Sequence, residues 1–171
     1  MNPIALLAAV LLQATPSTAA DVHPDFTGTW KLDLAASDSL DEMLKAQDAP
    51  WFARKAAGTV VVTQKIKQKA PEALEVCVET PVATNCDVLK IGAGWEEKKS
   101  DKGKVRVKSE WSADGQALVT FTETTPAKEQ TPIELRLTRT LQDDGKTTVQ
   151  LLELKGKDGK QLKARRILRK Q

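Results

Sequence analysis

From Thr59 to the C-terminus the chain is a succession of short segments that alternate apolar and polar residues, cut at close intervals by turn signals. Few folds accept that rhythm. Asp101-Lys102-Gly103, Asp114-Gly115, Asp144-Gly145 and Asp158-Gly159 mark hairpins, because Asp and Gly tolerate the positive φ angles that tight turns need. Thr59–Gln68 sets Val60, Val62 and Ile66 against Thr63, Lys65 and Lys67. Ala73–Thr80 sets Leu74, Val76 and Val78 against Glu75, Cys77 and Glu79. Asn85–Ile91 stops at Gly92 and Gly94, and Trp95–Lys99 is short and charged. Lys104–Trp111, Gln116–Thr124, Ile133–Leu141, Lys146–Leu154 and Gln161–Arg169 complete the series. With Phe26–Leu34, anchored by Trp30, the pattern predicts about ten strands. Successive hairpins form an antiparallel meander, which avoids bare edges best by closing on itself. The expected fold is all-β, a ten-stranded antiparallel up-and-down β-barrel. A barrel of this strand number is wider than its own side chains easily fill, so a cavity is expected inside.

One stretch breaks the rhythm. Ser39 reads as an N-cap with Glu42 completing a capping box, and Leu40, Met43 and Leu44 share a helical face. Asp48-Ala49-Pro50 interrupts and restarts the helix, since Pro is tolerated in a first turn. Trp51, Phe52 and Ala56 form the second helix's apolar side, and Gly58 its left-handed stop. Helices this short do not stand alone. They are expected to lie as a helix-turn-helix lid over one open end of the barrel.

Residues 1–20 read as a secretory signal peptide: Ile4–Leu12 is a short apolar run, and Thr18-Ala19-Ala20 offers small residues for cleavage before Asp21. An ordinary buried N-terminal helix is the alternative. The run falls short of the about 20 residues that span a bilayer. The remainder, 21–171, reads as one domain of periplasmic or secreted destination. The two cysteines fit that compartment. A turn centred on Pro81-Val82 sets Cys77 directly opposite Cys86 on the solvent face, close enough to bridge; free thiols in a reducing compartment are the alternative.

The inward faces of two late strands carry cations. Arg139 is in register with Ile133, Leu135, Leu137 and Leu141; Arg166 is in register with Leu162, Ala164 and Leu168. A buried guanidinium must be met by an acid, by water or by an anionic ligand, unless it snorkels to the rim. Its fixed fork suits a carboxylate.

Here the sequence resembles the intracellular lipid-binding proteins, the fatty-acid-binding proteins. Phe26-Thr-Gly-Thr-Trp-Lys-Leu32 is similar to that family's first strand. Leu40–Ala46 and Phe52–Gly58 look like its lid, and Leu89–Glu97 with Lys104–Lys108 like its middle hairpin. The likeness runs over Asp25–Lys170 and implies a barrel holding a fatty acid, here in an exported, bacterial-type member. In the family an Arg on the eighth strand and an Arg-x-Tyr on the last hold the carboxylate. Arg139 aligns with the first and Arg166-Ile-Leu168 with the second. Leu168 stands where Tyr is usual, and the chain contains no Tyr. Trp30, Leu137 and Leu168 join the two arginines as expected ligand-binding residues.

Other classes of function lack their residues. The single His, His23, sits in the leader, leaving no nucleophile triad, no zinc set and no phosphate loop. No enzyme activity, cofactor or metal is expected. The net charge of +3 does not call for nucleic acid. Lys155–Gln171 is basic but has no aromatic residue for base stacking. The expected role is non-catalytic binding and transport of a fatty acid or other acyl lipid by a monomer, whose lid contacts a membrane surface transiently through Lys45, Arg54 and Lys55. The alternatives are an envelope structural or interaction barrel with a self-filled core, and a carrier of another small apolar ligand.

Overall fold

The structure, a computed structural model, describes residues 23–100 and 103–171. The expectations for residues 1–20, and for Asp101-Lys102 in one turn, lie outside the described residues. Strand β1 (Gly28–Asp33) is followed by helices α1 (Asp41–Ala46) and α2 (Trp51–Ala57). Then come β2 (Thr63–Ala70), β3 (Ala73–Glu79), β4 (Thr84–Lys90), β5 (Glu96–Lys98), β6 (Gly103–Trp111), β7 (Leu118–Pro126), β8 (Ile133–Gln142), β9 (Thr147–Lys155) and β10 (Gln161–Lys170). All ten strands form one antiparallel sheet in the order β4-β3-β2-β1-β10-β9-β8-β7-β6-β5. The last strand returns beside the first, with Leu32 opposite Leu168. The hairpin glycines do what their turns require: Gly115, Gly145 and Gly159 all have φ between 69° and 79°. At Gly103 the strands approach so closely that a Cβ would lie 2.1 Å from the Thr125 carbonyl oxygen.

The sheet curls without closing. β4 and β5 are its two edges and share no backbone ladder, which corrects the expectation of full closure. Gly92 and Gly94, at φ 78° and 81°, turn the chain away from β4. Ile91 then bridges to Ser109, and the Gly92 N–H donates to the Ser109 carbonyl at 2.8 Å. Side chains span the seam instead: Lys98 to Asp87 at 2.9 Å and Lys90 to Glu96 at 2.5 Å. Charged edges of this kind discourage pairing with other chains. Hydrogen exchange should therefore grade across the sheet, slowest in β9 and β10, which are laddered on both sides, and fastest among strands in β4 and β5. Uniform protection would contradict the open seam.

Cys77 and Cys86 face each other across the β3–β4 ladder and are disulfide-bonded. The bridge staples an edge hairpin with a sequence separation of nine, so Cys77→Ser/Cys86→Ser should cost about 2.5 kcal/mol by loop-closure entropy. An unchanged urea midpoint would show that the hairpin holds without it.

The lid differs from expectation in three ways. Helix α1 starts at Asp41, after Leu40, and no capping box forms. Ser39 Oγ accepts from the Asp41 N–H at 3.2 Å, while Glu42 lies 3.8 Å from Lys160. Gly58 is right-handed at φ −83°. It needs no left-handed stop, because the N–H groups of Gly58 and Val60 take the last carbonyls of α2. Trp51 and Phe52 are 67% and 64% exposed, and Ala56 is exposed too, so the apolar side of α2 faces water. Met43 of α1 already fills the contact with Ile133, Leu154 and Ala164, and α2 packs chiefly on α1.

Two further expectations change. Strand β2 begins at Thr63, although the Val62 carbonyl still accepts from Leu32 at 2.8 Å. Ile167, which alternation with inward Arg166 and Leu168 puts on the outer face of the last strand, is buried. The chain after β1 crosses β10 there, with Ser37 Oγ accepting from the Ile167 N–H at 2.9 Å and Asp38 pairing with Arg165.

Most of the core gathers at the end away from the lid, around Phe26, Trp30, Ile66, Leu74 and Leu118. The leader seals that end. Trp30 Nε1–H donates to the Phe26 carbonyl at 2.8 Å, and the His23 ring stacks on Trp111 with centroids 4.2 Å apart. A smaller cluster lies beneath α1.

Candidate functional site

Between the two core clusters lies a cavity of about 290 Å³. Leu32, Val62, Val78, Leu137, Leu152 and Leu168 give it apolar walls, and Leu40 reaches it from the lid. Four polar side chains share the lining: Gln64, Arg139, Gln150 and Arg166. A groove of similar size on the outer face, beside Trp95 and Phe121, has its charges already matched, Glu153 by Arg136 and Lys163 and Glu134 by Lys155. Among the described residues, the buried charge without an acidic partner is inside.

Sheet register builds the polar row. On β8, β9 and β10, Arg139 pairs with Gln150 and Gln150 pairs with Arg166. Strand spacing of about 4.8 Å sets the two arginine Cα atoms about 10 Å apart with Gln150 between them. Arg139 is 6% exposed and Arg166 is 8% exposed. Arg139 Nη1–H donates to Thr120 Oγ1 at 3.4 Å, and that hydroxyl lies 3.1 Å from Ser109 Oγ. The Nε groups of both arginines are buried with no hydrogen-bond partner. Among the described residues, neither arginine has a carboxylate within ion-pair distance, which removes the Arg–Glu alternative there, and their burial removes snorkelling. Burial lowers the Arg139 pKa to about 10 and also lowers that of Arg166. Both guanidinium groups remain charged at neutral pH. Leaving such charges in an apolar cavity costs several kcal/mol, a cost that an anion in the cavity would offset.

The amides extend the row across the barrel. Gln150 Nε2–H donates to Gln64 Oε1 on β2 at 2.8 Å. Thr148, 1% exposed, points a hydroxyl inward that has no partner. Alternation could have identified Gln64, since it lies in register with Val62 and Ile66. Gln150 and Thr148 were hidden, because the run Thr147–Leu152 mixes apolar and polar residues on both faces and its phase comes only from pairing with Arg139.

The expected ligand-binding residues divide. Arg139, Arg166, Leu137 and Leu168 meet at the cavity. Trp30 does not line it; its indole is wholly enclosed in the core at the sealed end. The Cys77–Cys86 bridge sits on the outer face, where Cys86 is exposed.

The sequence matches no protein-family model and no curated protein. Its architecture matches solved structures. A fatty acid transporter designated REP1-NXSQ superposes with a TM-score of 0.67 at 20% identity, over 85% of this chain and 95% of its own. Lipid binding protein 8 of Caenorhabditis elegans gives 0.68 at 18% identity, over 85% and 95%. A Schistosoma mansoni fatty acid binding protein in complex with arachidonic acid gives 0.67 at 18% identity, over 85% and 96%. The chain has the fatty-acid-binding-protein fold. Within that fold, the inward faces of β8, β9 and β10 carry the Arg139–Gln150–Arg166 row, and α1 covers the smaller core cluster through Met43.

Proposed function

We propose that the protein binds a fatty acid or another hydrophobic anion in this cavity and carries it without chemical change, as a monomer. One observation carries the reading: two buried guanidinium groups, unmatched by any acid among the described residues, open on an apolar cavity. Each methylene buried is worth about 0.8 kcal/mol, so the chain of the ligand supplies most of the affinity, less the cost of ordering it. Arg139 and Arg166 orient the ligand and select for acids. The cavity speaks against a self-filled structural barrel. Its wall presents guanidinium, amide and alkyl groups, a set that binds and does not react.

Under the same proposal residues 1–20 direct export, and the disulfide suits an oxidising compartment, periplasmic or extracellular. Trp51 and Phe52, exposed beside Lys55, would meet a membrane surface during loading. Mass spectrometry of lipid extracted from the purified protein, together with titration of a fluorescent fatty acid, tests the reading. Co-purified acyl lipid and saturable one-site binding are expected. Protein that purifies empty and shows no titration would overturn it.

A further inference from the structure

We propose that the ligand is a straight-chain acid of about ten carbons and that Met43 of α1 sets this length; this rests on the proposed lipid-binding function and narrows it. Packed side chains close both ends of the cavity. Leu32 and Leu168 line it and belong to the cluster around Trp30, so no chain passes the arginines towards the sealed end. Leu40 and Leu152 line it and pack against the cluster of Met43, Ile133, Leu154 and Ala164. Met43 is 4% exposed and Leu154 is 1% exposed, so the lid end is filled as well.

Strand register measures the room between the two ends. Inward residues of β8 and β9 form successive layers: Arg139 with Gln150, Leu137 with Leu152, then Leu135 with Leu154. The third layer belongs to the lid-side cluster. It lies four residues from the first, about 13 Å at about 3.3 Å per residue. An extended alkyl chain advances about 1.25 Å per carbon, from a bond of about 1.52 Å at the tetrahedral angle. A carboxylate held at the first layer therefore has room behind it for roughly ten carbons. Volume leads to the same length independently. A cavity of about 150 Å³ takes up benzene with its six carbons. At that density a cavity of about 290 Å³ holds about twelve non-hydrogen atoms, the carbons and carboxylate oxygens of decanoate. A longer chain must displace Met43 or leave its end in water, and neither rewards the added methylenes.

Calorimetric titration with octanoate, decanoate, undecanoate, dodecanoate, hexadecanoate and octadecanoate, each below its micelle concentration, reads the length directly. From octanoate to decanoate the affinity should rise about fourfold per methylene. From dodecanoate to octadecanoate it should level off or fall. Met43→Ala removes about three non-hydrogen atoms from the stop, so its optimum should move about two to three carbons longer. Met43→Val, a milder truncation, should move the optimum by about one carbon, and it decides the role of Met43 if Met43→Ala does not fold. A rise that continues to octadecanoate in the wild type would overturn the proposal and leave fatty-acid binding intact. A length profile unchanged in the folded variant would overturn Met43 as the stop. Failure of every acid to bind would remove the lipid-binding reading as well.

Discussion

Exchanging Arg139 and Arg166 together for methionine is expected to abolish most fatty-acid affinity while leaving the protein as stable as before, or more stable. Each charged hydrogen-bonding group lost from the head-group site is worth about 1.5–3 kcal/mol, so the pair accounts for roughly a hundredfold or more in affinity. The stability effect has the opposite sign. Both side chains are under one-tenth exposed, and neither has an acidic partner among the described residues. Replacing unmatched buried charge with an apolar side chain of similar length relieves a desolvation cost of several kcal/mol. Fluorescent fatty-acid titration and thermal unfolding of the same sample read the two effects separately. Wild-type affinity in the double variant would place the ligand elsewhere. A large loss of stability would show that the arginines hold the barrel together and are not held for a ligand.

Trp30→Ala should have the largest effect on folding. The indole is fully buried among Phe26, Leu32, Ile66 and Leu118, and truncating such a side chain costs about 3–5 kcal/mol. The loss of the Nε1–H donor also strands the Phe26 carbonyl. For a chain of this size the midpoint of thermal unfolding should fall by about 10 °C or more. Because Trp30 lies outside the cavity wall, the folded fraction of the variant should retain wild-type affinity. A selective loss of binding with little loss of stability would instead place Trp30 at the ligand, as the sequence pattern alone had indicated. Trp30→Phe, which keeps most of the ring volume but not the donor, separates packing from the hydrogen bond.

Local rules read the hairpins well and the lid poorly. The β-strand period of two phases each segment independently, so Arg139 and Arg166 could be placed on inward faces before any tertiary contact was known. The Cys77–Cys86 pairing followed in the same way from one turn. Helices of six or seven residues carry too little information of their own. Whether Trp51 and Phe52 face the sheet or water depends on where α1 sits, and α1 is positioned by Ile133, Leu154 and Ala164, which lie far along the chain. Seam geometry was illegible for a similar reason. A sheet's closure is a property of all its strands together, and the glycine-directed exit from β4 decided it against full closure.

By itself the sequence determined the strand count, the turn positions, the inward phase of the two arginines and the opposed cysteines, since each is set by neighbours a few residues away. Only the tertiary structure decided that those arginines find no acid among the described residues, that Gln150 and Gln64 join them in one row, and that Trp30 belongs to the sealed end and not to the cavity. Those outcomes depend on which residues from distant strands meet across the barrel, and local alternation contains no information about register between them.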